Sequence, residues 1–196
     1  MLIEKIKDYQ IILATQSPRR HYLMQKAGFD FIVSDLHSVE EKYPNGLDKY
    51  EIPIYLAELK SNAYSKPLEE NEILITADTI VWLQNRLIGK PKNSEDAYRI
   101  LKKLVGNMHE VITGVSIRTR NTLHSFYAHT EVFFSKISDE ELKFYIESQN
   151  PLDKAGAYGI QDWIGFIGIE KIRGSYFNVM GLPIQKLYRE LENIIS

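Results

Sequence analysis

Cysteine is absent from the 196 residues. That excludes a disulfide framework, a thiolate zinc site and a cysteine nucleophile. No run approaches the ~20 apolar residues that span a bilayer. The first ten residues, MLIEKIKDYQ, mix acids and bases and hold no long apolar core, so they do not read as a signal peptide. A formal charge of -2 is too small for bulk electrostatic binding to nucleic acid or an acidic membrane, so any anion site must be local. No GxG and no GxxxxGK[ST] occurs, which excludes dinucleotide and P-loop fingerprints. Internal repeats, low-complexity tracts and linkers are also missing. The composition left is 44% hydrophobic and 26% charged, that of a globular chain able to bury a sizeable core. A cytoplasmic location is the default expectation.

The stretch 11–20, IILATQSPRR, organises the reading. Its apolar start predicts a buried strand. Ser17 is a good helix N-cap, and Pro18 suits the first helical position, where its missing N–H costs nothing. Arg19 and Arg20 then fall in the first turn, where cations are mildly unfavourable against the helix dipole. Backbone N–H groups, a hydroxyl and two guanidiniums at one spot make sense together if a polyanion binds. Surface arginines paired with nearby acids are the plainer alternative. The place after a buried strand favours a ligand, because ligands of α/β proteins gather at strand ends.

Further along, 29–33 predicts a second strand, with Gly28 closing the helix before it. A polar stretch over 34–48 carries Glu40 and Glu41 and is long for a loop in a compact domain. A helix is predicted over 50–64, with Ile52, Leu56, Leu59 and Ala63 as its apolar stripe. Lys60 lies in or beside that stripe, where a lysine usually reaches for water at the core edge and otherwise points into a cleft. The segment 73–83, ILITADTIVWL, is the most apolar and β-branched of the chain. Asp78 in its middle is costly unless paired, hydrogen-bonded or bound to metal. Either it forms a turn between two strands, or it is a strand-end carboxylate doing chemistry, the strongest single catalytic candidate here.

A hairpin turn is predicted at 84–86, followed by LIGKP over 87–91, where Gly89 permits close backbone approach and Lys90 adds a charge. Asn93 or Ser94 caps a helix over 95–105. Paired strands are predicted at 109–118 and 122–134, with His109, His124 and His129 too scattered for a metal cluster. A capping box at 138–141 opens another helix. The small-residue loop 153–161, DKAGAYGIQ, suggests backbone closing over a ligand or an irregular surface loop. A hairpin is predicted from 166–172 and 175–180, turning at Arg173 and Gly174. An amphipathic helix follows Pro183. Alternating strands and helices early, and antiparallel pairs late, predict one α/β domain with a mixed sheet in two lobes. Arg and Lys beside Asp78 suit a phosphate-rich small molecule and a divalent metal.

Six segments in register over nearly the whole chain resemble the Maf family of nucleoside triphosphate pyrophosphatases. They are ILATQSPRR at 12–20, ITADTIV at 75–81, IGKP at 88–91, HEVITGVSI at 109–117, PLDKAGAYGIQ at 151–161 and VMGLP at 179–183. The resemblance implies a single Maf-like (ITPase-like) α/β domain over 1–196, its central mixed, twisted sheet flanked by helices, with two lobes around a cleft. It implies hydrolysis between the α and β phosphates, giving a monophosphate and pyrophosphate, with Mg²⁺ or Mn²⁺ as cofactor. The SPRR start, the Ala-Asp-Thr strand and the Gly-Ile-Gln loop match the branch acting on dTTP and UTP. By motif, Asp78 would be the proton acceptor that activates water, and a metal ligand as well. Arg19, Thr79 and Gln161 would set base specificity. Ser17, Arg20, Lys60 and Lys90 would hold the triphosphate. The loop acid of the metal site maps to Glu41, with Glu40 as the neighbouring alternative. The segment 162–170, DWIGFIGIE, is bulkier after Gln161 than the small residues expected there. The implied partners are the nucleotide and a second copy in a homodimer, with no nucleic acid and no membrane. Two alternatives stay open: a nucleotide-binding regulator of cell division or septum formation with little catalysis, and a pyrophosphatase for a modified purine such as 7-methyl-GTP.

Overall fold

The computed structural model describes residues 1–34 and 39–195. The elements in chain order are α1 (Leu2–Lys5), β1 (Gln10–Leu13), α2 (Pro18–Lys26), β2 (Phe31–Val33), α3 (Glu51–Ala63), β3 (Glu72–Leu83), β4 (Arg86–Ile88) and α4 (Ser94–Leu104). They continue with β5 (Met108–Arg118), β6 (Leu123–Phe134), α5 (Asp139–Gln149), α6 (Trp163–Gly168), β7 (Ile169–Arg173), α7 (Tyr176–Met180) and α8 (Ile184–Ile194). Among the described residues the strands form one mixed sheet in the order β2-β1-β3-β5-β6-β7, with β4 paired to β3. The chain folds into two compact units. One comprises Met1–Asp78, Thr113–Ala128 and Gly181–Ser196, the other Thr79–Ile112 and His129–Met180.

In the first unit β1 runs parallel to both neighbours, with Ile11 opposite Phe31 on β2 and Ile73 on β3. Ile11, Ile12, Leu13, Leu74 and Ile75 are at most 1% exposed, which explains a run that is apolar on both faces rather than alternating. Ile12, Ala14, Leu68 and Leu74 pack as one cluster with Tyr64 against it. Pro53 sits in the first turn of α3, where its missing N–H is tolerated. The buried face of α3 is Ile52, Pro53, Leu56, Ala57 and Ser61, so the predicted stripe is rotated: Ala63 is exposed and Ser61 takes the inward place. Glycine is required at position 114 of β5, where a Cβ would lie 2.2 Å from the Pro53 carbonyl carbon and oxygen.

In the second unit β3 and β4 form the predicted hairpin. Leu83 pairs with Arg86, and Gln84 and Asn85 take positive φ of 47° and 60°, the backbone a two-residue turn demands. Asn93 caps α4 by accepting from the Asp96 N–H. The capping box of Ser138 and Glu141 is present at the start of α5. The loop 153–161, read as backbone closing over a ligand or as an irregular surface loop, is entered through two short 3₁₀ turns, Pro151–Asp153 and Ala155–Ala157, with Pro151, Gly156 and Ala157 buried.

The hairpin predicted from 166–172 and 175–180 is not formed. Residues Trp163–Gly168 are helical, Ile169–Arg173 pairs antiparallel with β6 instead, and Tyr176–Met180 is a short helix. Asn178 accounts for the last change. Its amide donates to the Val111 carbonyl at 3.1 Å and to Thr130 Oγ1 at 3.0 Å, anchoring α7 by long-range bonds that local pattern does not reveal.

Candidate active site

Asp78 lies in the interior of β3, with neither the turn nor the strand end expected from the sequence. Side chains two apart on a strand share a face, so Asp78 projects to the same side as Thr76. Thr76 Oγ1 donates to the Ala57 carbonyl of α3 at 2.7 Å. Lys60 is three residues beyond Ala57, on the same side of that helix. The strand and helix therefore bring Lys60 and Asp78 together by their own periodicities. Lys60 Nζ lies 2.5 Å from Asp78 Oδ1 and 2.7 Å from Glu41 Oε1. The Lys60 side chain is only 16% exposed, so it does not reach for bulk water at the core edge.

Arg20 completes this group. Its Nε donates to the Gly181 carbonyl at 2.8 Å and its Nη1 to Thr15 Oγ1 at 3.2 Å. Gly181 has φ of 115°, a conformation that only glycine takes easily. The terminal VMGLP segment thus serves the SPRR segment directly, and Thr15 and Gly181 are site-building residues that sequence reasoning passed over. His21 also bonds the Thr15 carbonyl, at 2.8 Å, so Thr15 is held from both ends. Pro18 opens α2 as predicted. Ser17 stands at its N-cap without making a side-chain cap bond, and its own N–H donates to Thr15 Oγ1 at 3.2 Å. Arg19 sits half-buried in the same first turn.

The electrostatics follow from burial. Asp78 is 7% exposed. Desolvation pushes its carboxyl above the ordinary value, opposed by the charges of Lys60 and Arg20. Desolvation likewise draws the Arg20 guanidinium below its ordinary value, with Asp78 and Glu41 opposing. The balance is a buried carboxylate made more basic and kept beside two cations. Of the two loop acids, Glu41 joins the group, whereas Glu40 pairs with Lys42. Residues 35–38 of that loop lie outside the described residues.

Among the described residues no group of three or more metal-binding side chains occurs. Glu41 and Asp78 nonetheless already share one cationic group, the Lys60 ammonium. Two hard carboxylate oxygens fit Mg²⁺ or Mn²⁺, which commonly take one or two protein carboxylates and fill the remaining positions with water and substrate phosphate oxygens.

The other candidates belong to the second unit. Thr79 follows Asp78 on β3 and is half-buried. Lys90 is exposed just past β4, beside Gly89, whose carbonyl accepts from the Gly156 N–H at 3.1 Å. Gln161 precedes α6, and its Nε2 donates to Asp162 Oδ1 at 3.0 Å. His109 is 1% exposed and bonds the Tyr158 hydroxyl at 2.7 Å, so it is a core histidine on a strand. His129 pairs with Glu110 and His124 with Glu190.

A family model described as "Maf-like protein" matches residues 10–194. A protein of Phocaeicola vulgatus named "dTTP/UTP pyrophosphatase" is 51% identical over 193 residues, 98% of this chain and 100% of that one. One of the same name from Flavobacterium johnsoniae is 50% identical over 195 residues and the full length of both. Another, from Parabacteroides distasonis, is 47% identical over 192 residues, again 98% of this chain and all of that protein. Among solved structures, a HAM1 protein from Coxiella burnetii superposes with a TM-score of 0.51 at 14% identity, covering 94% of this chain and 99% of that one. At that identity the likeness is one of fold alone.

Proposed function

The chain belongs to the Maf family, and from that premise we propose that it hydrolyses dTTP and UTP to the monophosphate and pyrophosphate, clearing such nucleotides from the cytoplasmic pool. The observation that carries the chemistry is the buried Asp78 with Lys60 and Arg20 beside it, and the exposed Glu41 paired to the same Lys60. Asp78 takes a proton from the attacking water. A new P–O bond forms, the anhydride bond between the α and β phosphates breaks, and pyrophosphate leaves. Burial supports this role, since a desolvated carboxylate accepts a proton more readily than an exposed one. Arg20 and Lys60 hold phosphate oxygens, the first as a planar fork pre-aimed by Gly181 and Thr15, the second as a point charge. Ser17 and the N-terminal turn of α2 add donors to the same anion. Lys90 supplies a further phosphate contact, and Arg19, Thr79 and Gln161 read the base.

Asp78 and Glu41 would hold Mg²⁺ or Mn²⁺, which would neutralise phosphate charge when bound. The homodimer is part of the same proposal, read by analytical sedimentation. The test is pyrophosphate release from a panel of nucleoside triphosphates, with 7-methyl-GTP included, with added Mg²⁺ or Mn²⁺ and with chelator. Turnover of dTTP and UTP that stops on chelation is the expected result. Orthophosphate as the product, or preference for 7-methyl-GTP, would overturn it. No helix among the described residues is long and apolar enough to cross a membrane.

A further inference from the structure

Gln161 has an amide with a donor end and an acceptor end, and the structure treats them differently. The donor end, Nε2, gives one of its two N–H groups to Asp162 Oδ1 at 3.0 Å. The acceptor, Oε1, is buried and has no hydrogen-bond partner among the described residues. A buried acceptor left unpaired is costly and is uncommon in a native protein. Turning the amide over would not relieve it, because the oxygen would then face the Asp162 carboxylate.

Asp162 is itself held in place. It stands at the N-cap of α6 yet makes no capping bond, although an aspartate there ordinarily accepts from the helix backbone. Its second oxygen, Oδ2, accepts from the Tyr145 hydroxyl at 2.9 Å, and Lys154 Nζ lies 3.8 Å away. Tyr145 is fully buried, and its hydroxyl oxygen accepts from the Gly159 N–H at 3.2 Å, which leaves its proton for Asp162. Glycine at 159 belongs to the same arrangement: a Cβ there would come within 2.6 Å of Asp162 Oδ2 and 2.7 Å of Gln161 Nε2.

We infer that Asp162, locked by Tyr145, is a positioning residue for pyrimidine choice: it fixes the Gln161 amide so that the buried oxygen is presented to the ring N–H of uracil or thymine. That N–H, flanked by two carbonyls, is a donor. Cytosine carries an unprotonated acceptor nitrogen at the same ring position, so an amide presented oxygen-first disfavours it. The inference rests on the proposed pyrophosphatase reading and deepens it.

The experiment measures kcat/KM for UTP and CTP with the wild type, Asp162→Ala, Asp162→Asn and Tyr145→Phe. In Asp162→Ala the amide is released to offer its nitrogen to cytosine, and the UTP:CTP ratio falls by about tenfold or more. Asp162→Asn keeps an oxygen for Gln161 Nε2 and retains most of the ratio. Tyr145→Phe loosens the carboxylate and gives an intermediate value. A general loss of stability lowers both substrates together and leaves the ratio alone, so the ratio reads orientation specifically. Should Asp162→Ala not fold, Tyr145→Phe against Asp162→Asn carries the comparison. An unchanged ratio in folded Asp162→Ala, or in Tyr145→Phe if that is the variant measured, overturns the inference. A wild type that releases no pyrophosphate from UTP overturns the activity instead, and calorimetric competition between UTP and CTP on the same variants then reads the preference.

Discussion

Asp78 carries two demands that oppose one another. The proposed chemistry needs a basic carboxylate among cations, and the fold buries Asp78 almost completely to make one. Asp78→Asn removes the proposed proton acceptor while keeping the shape and a hydrogen-bonding oxygen for Lys60. Pyrophosphate release is expected to fall by at least ~100-fold, the scale of a lost general base, with an unchanged far-UV spectrum. Stability shifts the other way. A carboxyl whose folded pKa is raised contributes stability below its unfolded pKa and loses it as pH rises through the folded one. The variant should therefore gain on the wild type, in urea unfolding, as pH rises above the ordinary carboxyl value. Retained turnover would show that another group accepts the proton. Asp78 and its two basic neighbours were legible as residue types in the sequence. The pairing of Lys60 with Asp78 and Glu41 was not, because it depends on the rotation of α3 against β3, which Thr76 sets through Ala57.

Single elements carry their own tests. On β5, Gly114 faces the backbone of α3, where a Cβ would overlap the Pro53 carbonyl at 2.2 Å. Backbone cannot give way as a side-chain tip does, so Gly114→Ala is expected to cost at least ~3 kcal/mol, at or beyond the upper end of ordinary overpacking, read as a lowered urea midpoint. On the same strand His109, 1% exposed, stacks on Phe134 at 5.6 Å between ring centroids, inside the second unit. Burial pulls its pKa from 6.5 down to about 3. The unfolded chain then binds a proton that the folded one refuses, so stability falls as pH drops from 6.5 towards 3, by up to about 1.4 kcal/mol per pH unit. His109→Gln keeps a polar partner for Tyr158 but does not titrate. Subtracting its pH profile of unfolding free energy from that of the wild type should leave this slope, and a flat difference would refute it. Turns and caps such as Asn93, Ser138 and the Gln84–Asn85 hairpin were legible because their chemistry is local. The failed hairpin at 166–180 was not, since Asn178 is held by Val111 and Thr130, both distant in sequence.

At the scale of the whole molecule neither compact unit is a continuous piece of chain. The first gathers three segments and the second two, and the boundaries fall inside β3, β5 and β6 as well as between α7 and α8. A fragment 1–78 carries Arg20, Lys60 and Asp78 but lacks Thr113–Ala128 and α8, whose Leu187 and Leu191 are fully buried. It is expected to be unfolded by far-UV circular dichroism and to release no pyrophosphate. A folded, active fragment would show that the first unit is autonomous.

The sequence by itself determined the class of fold, most helix ends, the apolar strands and, through six motifs in fixed order, the family and its chemistry. These are local signals: periodicity, capping, turn residues and the residue types that phosphate demands. Only the tertiary structure decided which side chains meet. It paired Lys60 with Asp78 and Glu41, aimed Arg20 with a glycine carbonyl 161 residues away, and took Asp162 from helix capping to hold the Gln161 amide. The reason is physical. A hydrogen bond between distant segments leaves no period in the sequence, because it depends on the rotation of one packed element against another. The SPRR turn was therefore visible as a candidate anion site from its residues alone, while its partner at Gly181 was fixed only when the chain closed.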